Sequence, residues 1–175
     1  VPTGSITQAA GGIDMDPDAS GSIAGTATFD AGSNSITLND PLNKLNNLVV
    51  ERANGLDLYN SRALAIEDME SLSGTVTIEA AGAITQNVDN NNLDRIDASA
   101  ATEAVFLARA GSGDGDTRFD ITLNDAYNRW SVMRFDGDDV TIRSNSDLDL
   151  GTSDAKSTLT LTGNNANVDL IQSGT

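Results

Sequence analysis

Carboxylates at alternate positions near the start of the chain are potential ligands for a hard cation. Asp14, Asp16 and Asp18 lie within five residues of one another, and this spacing lets one loop aim several oxygens at calcium. The glycine that a calcium loop needs at its sharp turn is replaced by Ala19, and the closing glutamate is replaced by Gly25. Calcium binding and a solvated acidic turn are therefore both compatible with this stretch.

A second acidic stretch lies in the middle of the chain. Asp114, Asp116 and Asp120 follow or alternate with glycines at 111, 113 and 115. The same chemistry predicts a second calcium site here, with a flexible solvated turn as the alternative. Calcium is the one cofactor that the sequence suggests.

Two aromatic residues and a cation lie close together in the second half of the chain. Tyr127, Arg129 and Trp130 form a candidate platform for stacking a sugar ring, which makes extracellular carbohydrate a candidate ligand. A related stretch earlier in the chain carries Leu42 and Leu45 at the positions of the aromatic residues. The alternative interpretation is that these side chains fold back and cap the core.

A run of carboxylates in the stretch 135–139 raises the question of catalysis. Asp136, Asp138 and Asp139 are close enough in sequence to share acid and base roles in polysaccharide cleavage. A site for an acidic sugar chain also needs cations, and the 10 basic residues are scattered. We expect no enzymatic activity, and a polysaccharide-binding or -cleaving protein is a distant alternative.

The absence of two residue types excludes several classes of site. The chain has no cysteine and no histidine, which removes disulfides, the usual zinc sites and histidine-dependent nucleophilic catalysis. No run of roughly 18 apolar residues occurs, so we expect no membrane insertion.

The chain is strongly acidic, with 26 acidic and 10 basic residues and a net charge of −16. Nucleic acid is disfavoured as a partner, because binding a polyanion depends on clustered lysine and arginine. The acidity mainly indicates solubility, with a calcium-containing medium as the alternative.

The elements that must position these residues follow from an internal repeat. The motif Ile-Thr-Leu-Asn-Asp occurs at 36–40 and again at 121–125. Alternating apolar residues followed by Asn-Asp predict a short strand that ends at a corner. The two copies, 35–86 and 120–172, are joined by irregular linking coils at 87–119.

Pairs of apolar residues recur about every twenty residues within each copy. The first residues of these pairs are Ile36, Leu56 and Val76 in one copy and Ile121, Val140 and Leu159 in the other. A fixed period of this size predicts a solenoid in which equivalent strands lie above one another. We therefore predict one all-β domain over residues 1–175, a right-handed parallel β-helix of about eight coils.

The stretch 75–86, Thr-Val-Thr-Ile-Glu-Ala-Ala-Gly-Ala-Ile-Thr-Gln, together with the earlier strands, resembles repeats of filamentous-haemagglutinin-type exoproteins. These are secreted bacterial adhesins of the two-partner secretion systems. The resemblance is strongest over 35–86 and 120–172. It implies a rigid rod on a secreted or cell-surface protein, and no catalytic residue is implied.

The expected function is accordingly structural or adhesive, and the expected location is extracellular. The expected partners are neighbouring β-helix coils, or further copies of the chain stacked head to tail through their ends. Contact with a host or matrix surface is a further expectation. A self-assembling extracellular filament is the alternative function.

Overall fold

The computed structural model describes residues 4–15, 25–88, 95–111, 116–164 and 169–172. The described part of the chain is all-β and contains no helix, so none that could cross a membrane. The strands are β1 (Ile6–Thr7), β2 (Thr26–Asp30), β3 (Ile36–Leu38), β4 (Asn47–Asn60), β5 (Leu64–Ala80), β6 (Ile84–Gln86), β7 (Asp97–Ala98), β8 (Ala100–Ala110), β9 (Thr117–Arg118), β10 (Ile121–Leu123), β11 (Arg129–Trp130), β12 (Val132–Ser144), β13 (Leu148–Leu150), β14 (Asp154–Gly163) and β15 (Leu170–Gln172).

Two stacks of parallel strands organise the molecule. We call the first ladder A, and its successive partners are Ile6, Ile36, Leu56, Val76, Ala104, Met133 and Leu150. We call the second ladder B, and its successive partners are Leu64, Ile84, Ile121, Val140 and Leu159. Both ladders contribute to one continuous apolar core.

The alternation predicted from the sequence decides which side chains enter this core. Ile36 and Leu38 are buried while Thr37 between them is partly exposed, and Ile121, Thr122 and Leu123 repeat the pattern. Successive side chains of a strand point to opposite faces, so one file packs inward and the next faces solvent. The core is consequently a column of Ile, Leu, Val and Ala with few aromatic residues.

Glycines allow two strands to continue across a corner. β4 and β5 are 14 and 17 residues long, and the register between them shifts between Asn54 and Leu56. Gly55 and Gly74 lie at these bends with φ of 95° and 66°, a backbone region that glycine adopts without steric cost. Each long strand therefore serves both ladders.

Equivalent strands stack directly within each copy of the repeat, as expected, but not between the copies. Ile36 belongs to ladder A, whereas Ile121, at the same position of the motif, belongs to ladder B. The chain between them includes β8, which adds a layer to ladder A between β5 and β12. The second copy is therefore shifted from one ladder to the other relative to the first.

Among the described strands, one pair departs from the parallel arrangement. β9 pairs antiparallel with the end of β8, so that Arg118 lies opposite Arg109. This hairpin stands on the outer face of ladder A. It forms one wall of the site described below.

Candidate functional site

The predicted calcium ligands lie partly outside the described residues. Asp16, Asp18 and Asp114 are not among the described residues. Asp14 forms an ion pair with Lys44, with 2.8 Å between Oδ2 and Nζ. Asp120 Oδ1 accepts a hydrogen bond from the backbone N–H of Asp139. Within the ranges that the structure describes, no cluster of three or more acidic residues is arranged for a metal.

The second of these stretches is also only partly described. Asp116 directly precedes β9, and its carboxylate lies beside Gly111, which follows β8. Because Asp114 is not described, the geometry of the predicted ligand set is open. Calcium binding at both stretches stays a prediction.

The proposed stacking platform is not formed, because Trp130 is part of the core. Its side chain is only 2% exposed, and its ring meets that of Phe106 edge to face with centroids 5.7 Å apart. The indole Nε1 donates a hydrogen bond to the backbone carbonyl of Arg143. No ring face is left for a sugar, and the alternative interpretation, a side chain that caps the core, describes Trp130.

The other two members of the predicted platform do not face a common site with Trp130. Tyr127 is partly exposed, and its backbone N–H bonds to Asp125. Arg129 is exposed and forms an ion pair of 3.3 Å with Asp97. Arg129 and Asp97 are register partners on β11 and β7, so their contact stabilises the corner.

The three carboxylates of the stretch 135–139 have separate surroundings. Asp136 is bound by arginines, Asp138 accepts a hydrogen bond from Ser157, and Asp139 contacts Asp120 through its backbone N–H. Alternation along β12 and a register shift after Gly137 turn them in different directions. They do not form an acid and base pair.

A charged groove lies on the outer face of ladder A, beside the β8–β9 hairpin. We call it the arginine groove. It has a volume of about 460 Å³. Its lining residues come from β5, β8, β9, β12, β14 and the turn before β14: Thr75, Thr77, Glu103, Val105, Leu107, Arg109, Arg118, Arg134, Phe135, Asp136, Thr152, Ser153 and Asp154.

A chain of ion pairs runs through this groove along the stacking direction. Arg118 lies between two carboxylates, 2.8 Å from Asp136 and 2.6 Å from Asp154. Arg109 contacts Glu79 at 3.2 Å and Asp136 at 3.4 Å. The five groups join strands β5, β8, β12, β9 and β14. The hairpin is thereby fastened to three neighbouring layers.

The carboxylates beside Arg118 shift its pKa. The hydrogen bond that Arg118 donates to the carboxylate of Asp154 raises the pKa of Arg118 above its ordinary value, and the nearby charge of Asp136 acts in the same direction. This guanidinium therefore keeps its charge and its geometry. Arg134 is held more loosely, since its Nη1 lies 3.6 Å from Glu103 while its Nε donates to the backbone carbonyl of Thr152.

Sequence reasoning missed this groove because its members are far apart in the chain. The arginines at 109, 118 and 134 looked scattered, and only the stacking of layers brings them together. One local signal existed. Val105 and Leu107 are apolar at outward positions of ladder A, where the preceding layer has Thr77 and Glu79.

The sequence did not predict two buried clusters of amide side chains, which lie where the Ile-Thr-Gln strands end. Asn128 is fully buried, and its side chain pairs with that of Gln86. Asn43 makes the same arrangement with Gln8. The recurrence of Ile-Thr-Gln at 6–8 and 84–86, each stacked on an Ile-Thr-Leu strand, was the available signal.

Comparisons with known proteins support the repeat character of the chain. Residues 2–51 match a family model described as Repeats of unknown function (DUF5649). The matched segment contains the first amide cluster, with Gln8 and Asn43. No curated protein and no solved structure matches the chain. The chain is an all-β repeat protein.

Proposed function

We propose that the chain is a structural segment of an extracellular rod, wound as a right-handed parallel β-helix of about eight coils. The observation that carries this proposal is ladder A. Its parallel pairing passes without interruption from β1 to β13 over one apolar core. Parallel connections within one sheet are right-handed in nearly all proteins, which supports the proposed hand.

The mechanical argument follows from the direction of the hydrogen bonds. In a stack of parallel layers the backbone hydrogen bonds run along the axis, so every layer is bonded to the next. Buried amides at the corners add further bonds between layers: the side chain of Asn60 accepts a hydrogen bond from the backbone N–H of Leu45 and donates one to its carbonyl. Such an assembly resists bending and needs no moving part.

The surface chemistry is consistent with an exposed, secreted rod. The net charge of −16 keeps neighbouring rods apart. The resemblance to filamentous-haemagglutinin-type repeats supports an adhesive or surface-display role on a bacterial cell. In this role the chain has no catalytic activity and contacts other coils, host surfaces or matrix.

Small-angle X-ray scattering of the purified chain tests the rod. Layers about 4.8 Å apart predict that eight coils form a body about 40 Å long. An elongated scattering profile that stays the same across protein concentrations supports the proposal. A spherical profile, or a profile of an extended flexible chain, rejects it.

An extracellular filament is the second candidate, and the exposure of Leu159 favours it. Leu159 is 44% exposed, although its ladder B partners Ile121 and Val140 are buried. Stacking a second copy on β14 would cover this side chain and extend the ladder, and a contact that does not close on itself propagates.

Negative-stain electron microscopy separates the two candidates. Long thin fibres at neutral pH favour the filament, and their loss in chelator implicates calcium at Asp14, Asp16 and Asp18 or at Asp114, Asp116 and Asp120. Short isolated rods with calcium and with chelator favour the structural segment.

A further inference from the structure

The floor of the arginine groove breaks the outward pattern of ladder A. Along one outward file the partners are Thr37, Asp57 and Thr77, all polar, followed by Val105 and then Arg134. Val105 is only 8% exposed although it lies on the solvent-facing side of its strand. An apolar floor is therefore built into the outer surface at one place.

Leu107 extends this floor along the next outward file. Its partners there are Glu79 and Asp136, both charged. Val105 and Leu107 lie between two layers that carry polar residues at the same outward positions. The groove therefore combines a small apolar strip with polar walls. This is the usual composition of a site for a small molecule or a single unit of a polymer, and about 460 Å³ falls within the range of such sites.

The walls carry balanced charge. Three guanidinium groups, those of Arg109, Arg118 and Arg134, line the groove beside the three carboxylates Glu103, Asp136 and Asp154. The formal charge of the lining is therefore zero, in a chain whose net charge is −16. An anionic ligand would meet repulsion from the whole chain without compensation from the groove.

Hydroxyl groups complete the lining at both ends of the strip. Thr75 and Thr77 lie on β5, and Thr152 and Ser153 precede β14. Arg118 is held in place by Asp136 and Asp154, so its planar donors are presented in a fixed orientation. Fixed donors and acceptors around an apolar strip match a molecule with hydroxyl edges and a C–H face.

We infer that the arginine groove binds a neutral, hydroxyl-rich ligand, a short uncharged stretch of an oligosaccharide. The sugar ring lies with its C–H face on Val105 and Leu107. Its hydroxyls exchange hydrogen bonds with the guanidinium, carboxylate and hydroxyl groups of the walls. This inference goes beyond the proposed mechanical role, because a rod can be stiff without it and the groove can bind sugar whatever the shape of the rod.

Calorimetric titration with neutral hexasaccharides tests the site on the full chain. The probes are maltohexaose, cellohexaose and laminarihexaose, with hexagalacturonic acid and a glutamate-rich peptide as anionic comparisons. We expect one or more neutral probes to bind in the millimolar range or tighter, and the anionic probes to bind at least about tenfold more weakly.

Two matched substitutions place the binding in the groove. Thr77→Trp fills the groove from one end of the apolar strip, whereas Thr37→Trp makes the same change in the same outward file outside the lining. We expect the affinity to fall at least about tenfold for Thr77→Trp and to stay within about twofold for Thr37→Trp. Circular dichroism spectra and thermal unfolding midpoints are measured for both variants to check that they fold.

Amide NMR spectra of the wild-type chain give a readout that does not depend on any variant. We expect the neutral probe to shift the resonances of Val105, Leu107, Thr152 and Ser153. The inference is overturned if no neutral probe binds, if hexagalacturonic acid or the peptide binds more tightly, or if the shifted resonances lie away from the groove.

Discussion

The side chains of Gln86 and Asn128 exchange two hydrogen bonds of 2.8 and 2.7 Å across a buried corner. Asn128 also accepts the backbone N–H of Ile96 and donates to the carbonyl of Leu123. One amide thus ties together the ends of three chain segments. Gln8 and Asn43 repeat this arrangement with Ile13 and Leu38, at the end of a ladder A strand instead of a ladder B strand.

Replacing Asn128 by alanine is expected to destabilise the fold by about 2–4 kcal/mol, because it leaves several buried polar groups without partners. Asn43→Ala should cost a similar amount, since its bonds are equivalent. The measurement is urea unfolding followed by circular dichroism. Asn39→Ala is the control: its amide bonds to Asp57 at an exposed position, and a loss below about 0.5 kcal/mol is expected. Equal losses of stability for Asn39→Ala and Asn128→Ala would contradict the conclusion that the buried amide of Asn128 stabilises the fold.

Gly82→Ala is expected to destabilise the chain by about 1–3 kcal/mol, because the space beside Gly82 is already occupied. A Cβ there would contact the backbone N of Ala63 and lie 2.8 Å from its Cα, in the neighbouring layer. Rigid backbone cannot give way as a flexible side chain can. The measurement is the shift in the thermal unfolding midpoint.

Gly4 provides a matched control for Gly82, because both precede an x-Ile-Thr-Gln strand. Among the described residues, no atom lies within 4 Å of a Cβ built on Gly4. We expect Gly4→Ala to change the stability by less than about 0.5 kcal/mol. If Gly82→Ala and Gly4→Ala had the same thermal unfolding midpoint, the layers at Gly82 and Ala63 would not be packed closely enough to exclude a Cβ.

The fluorescence of Trp130 reports directly on the core, since it is the only tryptophan of the chain. Burial against Phe106 predicts blue-shifted emission and weak quenching by acrylamide in the folded protein. Unfolding should shift the emission to the red. Trp130→Ala should cost about 3–5 kcal/mol through the cavity it leaves. Strong quenching in the native state would instead indicate an exposed ring.

Acid should weaken the corner at Asp30. The Arg52 guanidinium and the backbone N–H of Gly32 hold the pKa of Asp30 below its ordinary value of 3.8. Because the folded pKa is the lower one, the stabilisation is complete above 3.8 and is lost as the pH falls through the folded pKa. Asp30→Asn should therefore lower the unfolding midpoint at neutral pH and have little effect in strong acid.

Asp40 tests the same direction of pH dependence at a carboxylate whose pKa is lowered by backbone hydrogen bonds alone, without a nearby cation. The backbone N–H groups of Leu42 and Gly11 hold the pKa of Asp40 below 3.8. Unfolding midpoints of wild type and Asp40→Asn, measured from neutral pH to strong acid, should converge on acidification. A difference that grows in acid would reverse the sign of the linkage and exclude this account.

The alternation of residues along the strands carried most of the fold prediction. The apolar pairs beginning at Ile36 and Ile121 predicted strands with one buried face, and both are present. Alternation is a local property, set by the geometry of a single strand. It cannot report which layer a strand pairs with, because register depends on the path of the intervening chain.

Composition and local pattern were enough to predict an all-β repeat, a core column of aliphatic residues and the absence of disulfides and histidine chemistry. The three-dimensional packing was needed to show that the second copy of the motif pairs in ladder B, that Trp130 belongs to the core, and that Arg109, Arg118 and Arg134 share one groove. The physical reason is that these features join residues on different layers. Stacking brings such residues together across long stretches of sequence, where no local pattern records their contact.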